Sequence, residues 1–122
     1  MEHYIVTLFV KTGHEEDVIG YYQNLEPQLR EAPGFNGRHI YVAKVGTMAA
    51  EVRKQYSAEE LAKHGESPHD DPGVQVIMIE HWDSVGERMA FSKSIAAGRQ
   101  KEIIPHLLPN HSHEFYADRS VS

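Results

Sequence analysis

The residues of this chain able to do chemistry are chiefly histidines, 9 of them against no cysteine. Three crowd into HLLPNHSHEFY (106–116), as His106, His111 and His113. At i, i+2 spacing on a strand His111 and His113 share a face, the arrangement of a metal pair to which His106 would add a third ligand. Pro105 and Pro109 weigh against that convergence, because they predict a turn over 105–110 ahead of the last strand. The expectation is therefore no metal here, with His106 and His113 as candidate catalytic residues at a cavity rim and solvated histidines as the plainer alternative. A further candidate base is His39, which shares a strand face with Tyr41; an imidazole with a pKa of roughly 6.5 can take a phenolic proton. A solvated edge histidine explains His39 equally well, and Arg38, pointing the other way, is expected at the surface. Met78, Glu80 and Trp82 alternate along one strand and share one of its faces. His64, His69, Asp70 and Asp71 have no compact zinc spacing and read as a solvated loop.

Those side chains need a scaffold, and its elements are legible. HYIVTLFVK (3–11) is β-branched, aromatic and apolar on both faces at its centre, so it reads as a buried strand. Thr12 with Glu15 has capping-box spacing, and Val18, Tyr22, Leu25 and Leu29 form one apolar stripe on the helix that follows. Pro27 predicts a kink in that helix, and Pro33 with Gly34 its end. FNGRHIYVAKV (35–45) alternates as a second strand, and VQVIMIEHW (74–82) is the most strand-like run in the chain. Between them the polar interval 46–73, with a Ser57–Glu60 capping box, reads as one or two short helices with a Pro-rich exit. A second long helix is expected over 84–104, patterned by Met89, Ser92, Lys93, Ala96 and Ile103, and SHEFYA closes the chain as a strand.

The order β-α-β, insertion, β-α-β is the split βαβ arrangement. It predicts an α+β, ferredoxin-like fold: a four-stranded antiparallel sheet with two helices on one face, in one domain spanning 1–122 with an insertion at about 46–73. Strands apolar on both faces need cover on both, and a second copy of the sheet would supply it, which predicts a homodimer of two sheets enclosing a small-molecule cavity.

Composition narrows the partners. Lys plus Arg number 12 against 18 Asp plus Glu, for a formal charge of −6, and no basic cluster offers a track for phosphates. Nucleic acid is not an expected partner. No apolar run approaches the ~18 residues of a membrane span, and MEHYIVTLFVKTGHEED lacks the regions of an export signal, so the cytoplasm is the expected location.

With VTLFVKTGHEEDV at the start, REAPGF after the first helix, IEHWDS before the second and EFY in the last strand, the chain resembles the antibiotic biosynthesis monooxygenase family. That family lies within the dimeric α/β-barrel superfamily, and the resemblance covers most of the chain except 46–73, where the family has a shorter connection. It implies a homodimer, a cavity lined by Trp82, and a cofactor-free monooxygenase that uses dioxygen on a small aromatic, quinol or polyketide-like substrate. On that reading His39, His106 and His113 are the candidate catalytic residues, and Trp82, Glu80, Met78 and Tyr41 bind substrate. No cofactor is expected, a reading with which the lack of a G-x-G-x-x-G motif or phosphate loop agrees. The insertion could act as a lid. Relatives that bind or degrade heme carry a helical axial histidine, and residues 84–104 contain none, though His106 lies just beyond them. A non-oxygenase binding or isomerase protein of the same fold, and a heme or metal protein, are the alternatives.

Overall fold

A computed structural model describes residues 1–64, 73–95 and 99–121. Four strands, β1 (Glu2–Val10), β2 (Phe35–Val42), β3 (Val74–Trp82) and β4 (Leu107–Tyr116), form one antiparallel sheet in the order β2-β3-β1-β4. The two strands that read as buried, β1 and β3, are the central ones, with Ile5 opposite Ile79 and Val6 opposite Met78. Helices α1 (Glu15–Asn24), α2 (Glu26–Glu31) and α5 (Val85–Ile95) supply Val18, Tyr21, Leu29 and Phe91 to a core that also holds Tyr4, Val6, Leu8, Val76, Met78 and Trp82 from the sheet. This is the expected α+β ferredoxin-like architecture, with helices packed on one face.

The expected kink is a break. The first helix divides at Leu25, and Pro27 sits in the first turn of α2, where its missing N–H leaves no helical bond unmade. Its N-terminus also differs from the expected box: α1 starts at Glu15 with His14 at the cap position, and the Glu15 carboxylate accepts from the Gly13 N–H at 3.0 Å. The Ser57 box forms as expected, Glu60 N–H donating to Ser57 Oγ at 3.2 Å. It opens α4 (Ala58–His64), which follows α3 (Thr47–Gln55); among the described side chains, neither helix places one in the core. His69, Asp70 and Asp71 lie outside the described residues, as does the side chain of His64.

Three expectations need correction. Arg38 is not a surface residue: its side chain is 2% exposed, and Nη2 donates to Glu26 Oε2 and to the Tyr22 carbonyl, each at 2.7 Å. The inward residues of α5 are Arg88 and Phe91, while Met89 is exposed, so the stripe lies one residue earlier than expected and contains a cation. Finally, 105–110 is not a turn. A 3₁₀ turn covers Ile104–His106 only, and β4 begins at Leu107. Pro109 is tolerated because β4 is an edge strand and its pairing with β1 is interrupted there, between Leu8↔His111 and Val10↔Leu107.

The face of the sheet away from the helices carries Ile5, Phe9, Ile77 and Ile79 in half-buried positions, with Tyr41 exposed beside them. Among the described residues, no helix is long and apolar enough to cross a membrane.

Candidate functional site

Strand alternation decides which candidates meet. Met78, Glu80 and Trp82 point toward the helices and are buried. His111 and His113, opposite Leu8 and Val6, lie on the same face of the sheet, at its β4 edge. His39, opposite Ile79, and Tyr41, opposite Ile77, lie on the other face with their rings 6.0 Å apart, so they share no site with Trp82. His106 belongs to neither group. Its ring stacks on His14 at 4.4 Å, and the imagined trio of His106, His111 and His113 does not converge.

What gathers on the helix face is a buried polar cluster built around Arg88, a residue not singled out in the sequence. Arg88 Nε lies 2.7 Å from Glu80 Oε1, with side chains only 9% and 4% exposed. The contact is an ion pair and not an aligned hydrogen bond, because the Nε–H points at no acceptor. The same carboxylate oxygen accepts from Trp82 Nε1 at 2.8 Å, and Arg88 Nη1 donates to Ser92 Oγ at 2.6 Å. Three aromatic rings surround the guanidinium carbon: Tyr4 at 4.3 Å, Phe91 at 5.5 Å and Trp82 at 5.7 Å. Charge, quadrupoles and low dielectric thus fix one cation under the helices. Arg88, Phe91, Ser92 and Ile95 do fall at helical spacing, which is the signal that could have found it.

The cluster reaches solvent through Tyr4 and His113. The Tyr4 hydroxyl and His113 Nδ1 make a long contact of 3.4 Å, and the Phe115 ring packs 4.8 Å from Tyr4. Partial burial, then the charges of His111 and Arg88, push the His113 pKa below the ordinary 6.5, which favours the neutral imidazole. Burial raises the pKa of Tyr4, an effect that Arg88 opposes, and raises that of Tyr22 strongly. Both phenols therefore keep their protons and remain donors. The site can accept a proton at one point and stabilise a negative charge beside it.

Trp82 itself is fully buried, with Phe35 and Phe91 rings at 5.3 and 5.8 Å, so a planar ligand stacking on it would have to displace one of them. A cavity of about 420 Å³ between α2 and α5 has Phe91 as a wall, and one of about 570 Å³ near Val42 and Val74 lies at the other end of β3. Neither is lined by Tyr4, Arg88 or His113.

No family model and no curated protein matches the sequence. Solved structures do. A structure described as an antibiotic biosynthesis monooxygenase aligns with 98% of this chain and 100% of its own, at 14% identity and a TM-score of 0.62. A protein of Nitrosomonas europaea, proposed in its own description to be an antibiotic biosynthesis monooxygenase, covers 97% of this chain and 89% of its own, at 14% identity and a TM-score of 0.63. One from Bordetella bronchiseptica, proposed to be the same, covers 96% and 95%, again at 14% identity, with a TM-score of 0.59. At that identity the likeness is one of fold, and it extends over nearly the whole chain.

Proposed function

We propose that this chain is a cofactor-independent monooxygenase acting with dioxygen on a small aromatic, quinol or polyketide-like substrate. The observation that carries the reading is the position of His113, its Nδ1 3.4 Å from the hydroxyl of Tyr4, whose ring lies 4.3 Å from the buried Arg88 guanidinium. The likeness in fold to structures described as antibiotic biosynthesis monooxygenases supports it. With His113 Nδ1–H donating to the Tyr4 oxygen, Nε2 carries the lone pair and takes the substrate's acidic proton. The anion formed is stabilised by Arg88 and by hydrogen bonds from the Tyr4 and Tyr22 hydroxyls. An electron-rich anion of that kind passes one electron to dioxygen, and the substrate radical and superoxide combine to a peroxide; loss of the remaining C–H proton with cleavage of the O–O bond releases water and leaves a carbonyl, the substrate supplying all four electrons. Glu80, itself held by Trp82, keeps Arg88 in position. Of the three candidate histidines, His113 is assigned the base; His39 lies on the other face and His106 at the other end of β1.

The test is oxygen consumption by the purified, metal-free protein over a panel of hydroquinones and anthrones. Because the neutral imidazole is the base, kcat/KM should rise with pH through an ionisation below 6.5 and stay flat above it. His113→Gln should remove that ionisation and slow turnover by about 10²-fold or more. A profile unchanged in the variant would remove His113 from this role. Turnover without oxygen uptake would make the protein an isomerase, since the same base and cation suffice for enolisation.

We also propose that the exposed sheet face is covered by a second copy, giving a homodimer. Ile5, Phe9, Ile77 and Ile79 make a continuous apolar strip across β1 and β3 that a monomer would leave in water. Light scattering should give twice the mass of the chain, and Ile79→Lys should convert it to monomer without loss of secondary structure. A monomeric wild type at micromolar concentration would sink the assignment.

A further inference from the structure

Among the described residues, His14, Asp17 and His106 bring their ligand atoms within 4.8 Å of one another. They come from the start of α1 and from the 3₁₀ turn before β4. We infer that these three residues form a binding site for a divalent transition-metal ion, of the class typified by Zn(II). Two imidazoles and one carboxylate form an N/O donor set that suits Zn(II), Ni(II), Co(II) or Cu(II) and discriminates against Ca(II) and Mg(II). Three protein ligands leave a coordination position for water.

The backbone holds the two histidines together through one residue. The Lys11 N–H donates to the His106 carbonyl at 2.8 Å, and the Lys11 carbonyl accepts from the His14 N–H at 3.0 Å. Their rings are stacked, with centroids 4.4 Å apart and planes inclined by 16°, so one ring must turn before both in-plane lone pairs meet at a single ion. His14 Nδ1 meets Asp17 Oδ2 at 3.1 Å. Metal–ligand bonds of about 2.0–2.2 Å place tetrahedral ligands roughly 3.3 Å apart, so the widest pair must close by about 1.5 Å. The side chains of His14 and Asp17, 45% and 59% exposed, have the freedom to do so by rotation. The positive end of the α1 dipole opposes a cation, but Glu15, Glu16 and Asp17 put three carboxylates in the same first turn.

The site is separate from the proposed catalytic one. Lys11 follows β1 at the end opposite Tyr4, roughly 20 Å away at the rise of a strand. An ion there would tie the start of α1 to the residue just before β4, and so brace the strand that carries His113. The competing explanation is that Asp17 merely orients His14 at a helix start, with no affinity for metal.

Titration calorimetry of tag-free, chelator-treated full chain with Zn(II) decides between them. The expected result is one equivalent bound per chain, weakened by more than about tenfold in His14→Gln and in His106→Gln, and unchanged in a His111→Gln/His113→Gln double variant. Absence of saturable binding, or binding retained in His106→Gln, overturns the proposal. With Co(II) and unmutated protein, paramagnetic shifts of two imidazole ring systems give the same decision without substitutions; shifts of none or one count against it.

Discussion

An Arg88→Met variant is expected to lose about 3–5 kcal/mol of stability in urea unfolding, because it leaves a buried carboxylate without its cation. Glu80 would keep the Trp82 Nε1–H, at 2.8 Å, and lose the guanidinium 2.7 Å from the same oxygen. A surface ion pair would matter far less, typically under about 1 kcal/mol. The difference lies in exposure: with side chains 9% and 4% accessible, neither partner can turn to water when the other is removed. The second arm of the experiment is the Glu80→Gln/Arg88→Met double variant. It removes both charges while keeping an acceptor for Trp82, and should recover most of the loss. A single-variant loss below about 1 kcal/mol would mean that water reaches Glu80 and that Arg88 is not held in a dry cluster. The comparison also bears on chemistry, since only a desolvated and immobilised cation acts strongly on an anion formed beside it.

The second large effect belongs to Trp82. Trp82→Ala should cost about 3–5 kcal/mol, the value for emptying a fully buried aromatic position. Trp82→Phe separates the two things this side chain does. It keeps a ring against Phe35 and Phe91 and removes the N–H donated to Glu80. If the donor matters, Trp82→Phe still loses about 1–3 kcal/mol; if Trp82 only fills space, the loss falls below that range. Steady-state kinetics on the Phe variant adds the remaining distinction. A residue that stacks on substrate changes KM, whereas one that positions Arg88 through Glu80 changes kcat with KM held.

The elements that the sequence predicts well are those whose signal is local. VQVIMIEHW is apolar on both faces because β3 is central, and the matching apolar run of β1 marks its neighbour. The Ser57–Glu60 box forms because both partners lie within one helical turn. Local signals also mislead where a long-range contact outweighs them. Pro109 suggests a turn, yet pairing with β1 on either side keeps it inside an edge strand. Arg38 looks like a surface cation, yet Glu26 and the Tyr22 carbonyl receive it under the helices.

The candidate site divides in the same way. That Met78, Glu80 and Trp82 share a face follows from the period of a strand, and that His39 and Tyr41 share one follows equally. Which of the two faces lies under the helices does not follow, because it depends on how β2 registers on β3, with Arg38 opposite Glu80. His113 and Tyr4 are 109 residues apart, and His3 and His81, whose Nδ1 atoms lie 2.9 Å apart on the exposed face, are 78 apart. No spacing rule reaches that far.

By itself, then, the sequence determined the order of strands and helices and the residues sharing each strand face, which depend on near neighbours; it carried the second long helix on to 104, where α5 ends at Ile95 and a 3₁₀ turn covers Arg99–Glu102, and set its inward stripe one residue late. Only the tertiary structure decided that Arg88 rather than a histidine anchors the polar cluster, that His113 joins it through Tyr4, and that His106 pairs with His14. Those choices depend on strand order and register, which are set by burying the whole sheet face at once and not by any segment alone.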